Sequence, residues 1–223
     1  MRDPADPHRY SANEVGSKVG SEVVGVVLAG GRSQRMGRDK ALLPLLGEPL
    51  VARAVRRLRA VLPTVVVIGP RELAPVLPGV RLLPDQEAGL GPLGGLATAF
   101  AVLAARRIVL IACDMPFVVP ELIGAMVAVA EREPWARAVV LRTARGVEPL
   151  HALYDAACVP VIEGQLARGA RSLRGLLDRV AICEVGVEVV AALDPLGRSA
   201  LNVNTPDEWE RAVRLAREEQ VPG

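Results

Sequence analysis

Val23-Val24-Gly25-Val26-Val27-Leu28 is an unbroken apolar run, rich in β-branched residues and closed by Gly30-Gly31. Continuous apolarity, without the alternation of a half-exposed strand, marks a strand buried on both faces, the kind that parallel sheets use. Parallel strands need crossover connections, so helices are expected between them. From Pro49 onward Leu50, Ala54, Leu58, Val61 and Leu62 recur at helical spacing, with Arg53, Arg56 and Arg57 expected away from them and an end before Pro63. The alternation continues with strands over 64–68 and 80–83, a helix from Pro92 to about residue 105, and a strand over 107–112. A helix from Pro120 to about residue 132 and a strand over 138–142 follow. Strand and helix periods taking turns imply right-handed βαβ crossovers in a single three-layer α/β/α, Rossmann-like domain with a mostly parallel mixed sheet.

The second half is less regular, with strands expected over 149–154, 180–185 and 187–192, one of them antiparallel. Thr205-Pro206-Asp207-Glu208 has the form of a capping box, with Thr205 as N-cap, Pro206 as first helical residue and Glu208 as reciprocal partner. A chain of 223 residues suits one substantial core. Residues 1–20, polar and without an apolar run, are expected to be a disordered extension before a domain over 21–223. No stretch of about 20 uncharged apolar residues offers a membrane span, and three scattered cysteines without C-x-x-C spacing point to a reducing cytoplasm. The formal charge of +2, with no basic block, argues against a nucleic-acid surface and for a small acidic ligand.

The most unusual segment follows the first strand: Leu28-Ala29-Gly30-Gly31-Arg32-Ser33-Gln34-Arg35-Met36-Gly37-Arg38-Asp39-Lys40. Its glycines let backbone N–H groups approach phosphate oxygens, and its cations neutralise charge on a polyphosphate. An exposed basic turn would have the same composition, but ligands of open α/β sheets bind at the carboxyl ends of the strands, where this loop falls. Neither G-x-G-x-x-G nor G-x-x-x-x-G-K-[ST] occurs in it. Among 27 basic residues only Lys18 and Lys40 are lysines, a sign that a compact ammonium is wanted at position 40.

Leu28 to Leu45, L-A-G-G-x-S-x-R-M-G-x-D-K-A-L-L-P-L, resembles the signature of the molybdenum cofactor guanylyltransferases, within the wider nucleotidyltransferase superfamily. The resemblance implies that Leu28, Ala29 and Gly30 line guanine and ribose, that Gly31 belongs to the same nucleotide loop, and that Arg35 and Lys40 hold the triphosphate. Ala29-Gly30-Gly31, where the related cytidylyltransferases have A-A-G, favours guanine, whereas Ile68 stands where family members carry an Asn near the base.

Cys113-Asp114-Met115-Pro116 is similar to the family's C-D-x-P segment, which makes Asp114 the expected Mg²⁺ ligand; a lone Asp in this position could otherwise simply end the strand. Asp85, after Leu83-Pro84, corresponds by resemblance to an aspartate that contacts GTP, and Gly89 to Leu96 resembles the G-P-L-A-G segment before a helix N-terminus. Leu201-Asn202-Val203-Asn204-Thr205-Pro206 looks like the family's N-x-N-T-P motif, with Asn202 supporting metal or acceptor and Asn204 the acceptor side or the helix entry. His151 is expected to be structural or solvent-facing, and Arg168, Arg171 and Arg174 a solvated helix end.

The implied reaction transfers GMP from GTP to molybdenum-loaded molybdopterin, with Mg²⁺ as cofactor and pyrophosphate as leaving group. Transient contacts with other cofactor-synthesis proteins or molybdoenzyme chaperones go with such a role. The alternatives are a cytidylyl branch or a sugar- or lipid-phosphate acceptor, and, in another class, a non-catalytic nucleotide sensor or cofactor chaperone.

Overall fold

β1 (Val23–Leu28) lies inside a seven-stranded sheet whose alternate side chains feed two separate cores. A computed structural model describes residues 22–30, 40–85, 89–143 and 146–220, so the extension expected over 1–20 lies outside the described residues. After β1 come a short antiparallel pair, β2 (Pro44–Leu45) and β3 (Glu48–Pro49), then α1 (Leu50–Arg59) and the strands β4 (Val65–Ile68) and β5 (Arg81–Leu83). Next are α2 (Gly91–Leu103), β6 (Arg107–Ala112), α3 (Pro120–Arg132), β7 (Ala138–Thr143) and β8 (Gly146–Asp155). The chain continues through α4 (Val159–Ala167), α5 (Leu173–Leu177), β9 (Ile182–Val185), α6 (Val187–Leu193) and α7 (Pro206–Gln220).

The sheet order is β5-β4-β1-β6-β8-β7-β9, and β8 alone runs against its neighbours. Val23 and Val27 point into the core shared with α1 and α3, while Val24, Val26 and Leu28 point into the core shared with α2 and α5. Both helix layers approach β1 through a glycine. A Cβ on Gly25 would stand 3.0 Å from Leu62 and 3.1 Å from Leu58, and one on Gly95 would stand 2.7 Å from Leu28. Register brings Leu28, Ile68, Leu83 and Ala112 level with one another, so the loops leaving β1, β4, β5 and β6 share one edge.

Two expectations need correction. Residues 187–192 form the helix α6, not a strand: Val189, Val190 and Leu193 pack on the α1/α3 core at helical spacing, while Val187 is 56% exposed. Its β-branched content suggested a strand, but burial of one helical stripe outweighs propensity. Arg53 does not lie on an exposed face. It is buried because α7 covers that side of α1, where Arg53 Nε donates to Pro116 O (2.9 Å) and Nη2 to Glu219 Oε2 (2.5 Å) above the Phe117 ring. The α7 helix itself starts with the expected box: Thr205 N–H donates to Glu208 Oε2 (3.0 Å) and Glu208 N–H to Thr205 Oγ1 (3.2 Å).

His151 sits on β8 opposite Ile111 and is fully buried. Desolvation pushes its pKa down to about 4, against the weaker opposite pull of the Ser199 backbone and the Asp194 carboxylate. The unfolded chain therefore binds more protons than the folded chain between pH 6.5 and about 4. This contribution to stability is full above the unfolded value and is lost as pH falls, by roughly 3 kcal/mol. Urea melts of wild type and His151→Leu across this window should show a steeper acid loss for wild type; equal slopes would contradict the assignment. A second expectation concerns packing: a Cβ on Gly94 would fall 2.4 Å from Leu90 Cβ, an atom close to the backbone. Gly94→Ala should destabilise by about 1–3 kcal/mol, before the offset of about 1 kcal/mol from helix propensity, and a melt showing net stabilisation would refute the contact.

Candidate active site

The carboxyl edge of the sheet gathers polar groups that the sequence scatters. β6 ends at Ala112, and the next residues are pinned: Cys113 N–H donates to Leu28 O (2.9 Å) and Met115 N–H to Ala112 O (3.2 Å). Cys113 and Met115 are buried to either side, which leaves the Asp114 side chain 21% exposed above the strand end. Lys40 opens a single 3₁₀ turn, Lys40–Leu42, anchored by the buried Ala41. The third contributor arrives from the far end of the chain, where Val203 N–H donates to Asp114 O (2.9 Å) and docks residues 202–204 against the β6 exit.

These three segments meet at one ammonium. Lys40 Nζ donates to Asp114 Oδ2 (2.6 Å) and to Asn204 Oδ1 (2.7 Å), and Lys40 is only 6% exposed. A charge so buried requires an ionic partner and good hydrogen bonds, and a compact ammonium can divide itself between a carboxylate and an amide oxygen where a planar guanidinium fork would not fit. Asn204 is held from its other side as well, because its backbone N–H donates to Glu208 Oε2 (2.6 Å). The capping box of α7 therefore also fixes a residue of the site.

Asp114 Oδ1 and Asn202 Oδ1 are buried without a hydrogen-bond partner among the described residues. Buried oxygens left unpaired are costly, and two such atoms on segments joined by the Val203 to Asp114 hydrogen bond are the hard donors that Mg²⁺ prefers. No group of three or more His, Cys, Asp or Glu side chains suited to a metal occurs among the described residues. A cation here would complete its shell with substrate oxygens and water, as Mg²⁺ ordinarily does.

The remaining residues singled out from the sequence divide by position. Leu28 and Ala29 are buried at the end of β1, and Ala29 N–H donates to Ile68 O (2.8 Å). A Cβ on Gly30 would meet nothing within 4 Å among the described residues. Gly31 and Arg35 lie outside the described residues. Asp85 stands two residues beyond β5, on the same edge as Asp114 but with β4 and β1 intervening, roughly 14 Å away at ordinary strand spacing. Gly89 (φ +96°) and Gly91 (φ +65°) take left-handed conformations that turn the chain into the N-terminus of α2 at this edge, a position where backbone N–H groups favour anions. Arg171 Nη1 donates to Gly89 O (2.7 Å), so this arginine braces the turn and is not merely part of a solvated end. Ile68, in place of an Asn, is 1% exposed and packs with Leu28, Leu93 and Leu96, offering no side-chain polarity to a base.

The model of the MobA-like NTP transferase domain matches residues 25–183. A Pelotomaculum thermopropionicum protein described as "Probable molybdenum cofactor guanylyltransferase" is 35% identical over 195 residues, covering 87% of this chain and 94% of its own. The "Molybdenum cofactor guanylyltransferase" of Syntrophotalea carbinolica is 32% identical over 187 residues, with 83% and 88% covered. Among solved structures, the molybdopterin-guanine dinucleotide biosynthesis protein A of Archaeoglobus fulgidus superposes with a TM-score of 0.75 at 25% identity, over 87% of this chain and 99% of that one. A buried ammonium on a strand-end carboxylate and these relatives agree: the chain belongs to the MobA-like NTP transferase family.

Proposed function

We propose that this chain transfers GMP from GTP to molybdenum-loaded molybdopterin and releases pyrophosphate. The observation that carries the reading is the Lys40 ammonium shared between Asp114 and Asn204 at the carboxyl edge of the sheet, in a chain whose relatives are named guanylyltransferases. An oxygen of the molybdopterin phosphate forms a bond to the α-phosphorus of GTP while the bond from that phosphorus to the β-phosphate oxygen breaks, and the electron pair leaves with pyrophosphate. The acceptor phosphate is already anionic at neutral pH, so no general base is required, and the protein's task is alignment and charge stabilisation.

Leu28, Ala29 and Gly30, at the end of β1, would line guanine and ribose, and Asp85, beyond β5, would contact the nucleotide. Lys40 offsets charge on the leaving phosphates, a role that Arg35, outside the described residues, would share, and Gly31, also outside them, would belong to the nucleotide-binding loop. Asp114 and Asn202 are the residues that would hold Mg²⁺, which supplies electrostatic stabilisation of charge on the phosphate oxygens. Asn204 keeps the Lys40 ammonium directed at the reacting end, and with Asn202 borders the acceptor side. GTP and molybdopterin are then the small-molecule partners. Contact with other cofactor-synthesis proteins or molybdoenzyme chaperones is a further expectation of the role. None of the helices among the described residues is long and apolar enough to cross a membrane.

The buried Ile68 favours a direct test of base choice, because a side-chain contact to guanine is lost at that position. Pyrophosphate release should be metal-dependent, require molybdenum-loaded molybdopterin, and proceed with GTP in preference to CTP; a CTP preference would move the chain to cytidylyl transfer. Asp114→Ala should lower turnover by at least about 100-fold, and near wild-type activity in that variant would overturn the role given to Asp114. Lys40→Ala should cost a similar factor and raise KM for GTP, since a cation lost from the leaving phosphates weakens ground state and transition state together.

A further inference from the structure

Asp194 is a carboxylate that the chemistry above does not use and that is only 7% exposed. It follows α6, and it accepts three hydrogen bonds from the residues just ahead of it. Oδ1 takes the Arg198 N–H (2.9 Å), while Oδ2 takes the Ser199 N–H (2.8 Å) and the Ser199 hydroxyl (2.6 Å). The backbone closes the same turn, with Gly197 N–H donating to Asp194 O (3.0 Å) and Gly197 at φ +59°. Leu201 N–H then donates to Arg198 O (3.0 Å), and Val203 N–H reaches Asp114 O. His151 on β8 is fully buried and feels the charge of the Asp194 carboxylate. A buried carboxylate is tolerated only when its acceptors are filled, so its position dictates the path of the chain wrapped around it.

We infer that Asp194 is a positioning residue for nucleotidyl transfer. By folding residues 194–199 around its carboxylate it sets where the chain enters Leu201–Asn204, and so where Asn202 and Asn204 stand relative to Asp114 and Lys40. Glu208 holds the other end of this segment through the Asn204 and Thr205 N–H groups. Asn204 is thus strung between two carboxylates, one buried and one at a helix N-terminus. The inference rests on the reading of Lys40, Asp114 and Asn204 as the reacting centre.

The chain carries two lysines, Lys18 and Lys40, so lysine-labelled full-length protein gives two side-chain NMR signals, and Lys18→Arg assigns them. Asp194→Asn keeps the size of the side chain but replaces one acceptor oxygen with a donor. It should move the Lys40 signal in the direction that Asn204→Ala moves it, and lower kcat by about 10- to 100-fold, as small misplacements of catalytic groups do, with KM for GTP changed much less. Ser199→Ala removes one of the three hydrogen bonds and should give a smaller shift of the same sign; it serves as the test if Asp194→Asn does not fold. An unmoved Lys40 signal in the folded variants overturns the inference, and so does an unchanged kcat in an active enzyme. A shifted signal in a protein that transfers no nucleotide supports the positioning role while counting against the proposed reaction, which separates the two.

Discussion

The Lys40 ammonium is where the structure converges. A primary amine removed from water must be surrounded by oxygen, and here those oxygens come from the end of β6 and from the segment before α7. The arrangement is stable only if both segments are themselves fixed. β6 is fixed by its place beside β1 and by the hydrogen bond from Cys113 to Leu28, and the Asn204 segment by Val203 on Asp114 and by the box at the start of α7. In turn α7 is seated by a small third core, in which Phe117, Leu45, Leu50 and Val203 meet Ala212 and Ala216, and by the buried Arg53 beneath it. Hydrophobic packing sets the frame, and one cation makes the frame specific at its working edge.

What the sequence made legible follows from how local each signal is. The strands over 23–28, 65–68 and 107–112 were readable because burial on both faces leaves runs of apolar residues with no polar alternation. Helix starts at Pro120 and Pro206 were readable because proline suits the first turn, and the Thr205 and Glu208 box because capping is a four-residue matter. Residues 187–192 read as a strand because Val-Glu-Val-Val fits one locally, and only the neighbouring core decides for a helix. Arg53 reads as exposed because nothing near it in sequence announces α7, which begins 153 residues later.

The site divides in the same way. Lys40 and Asp114 stood out individually, from an oddity of composition and from a strand end before proline, yet their separation of 74 residues gives no local sign of contact. Asn204 is expected on the acceptor side or at the helix entry, and the direct bond to Lys40 adds a role that spacing does not reveal. No motif marks Asp194, although Asp-Pro-Leu-Gly-Arg-Ser has the composition of a turn organised by an acidic side chain. Arg35 and Gly31 lie outside the described residues, so their part stays with the loop's chemistry.

The partners of Lys40 lie 74 and 164 residues further along the chain. Synthesis runs from the N-terminus at about 5–20 residues per second, so the glycine loop, the central strands and Asp114 all leave the ribosome well before Asn204 and the helix that seats it. A nascent chain that has made β6 already carries Lys40 and Asp114 but lacks the amide that shares the ammonium with Asp114. The last helix therefore acts as a latch: the arrangement of Lys40, Asp114 and Asn204 is complete only once the C-terminal segment has docked.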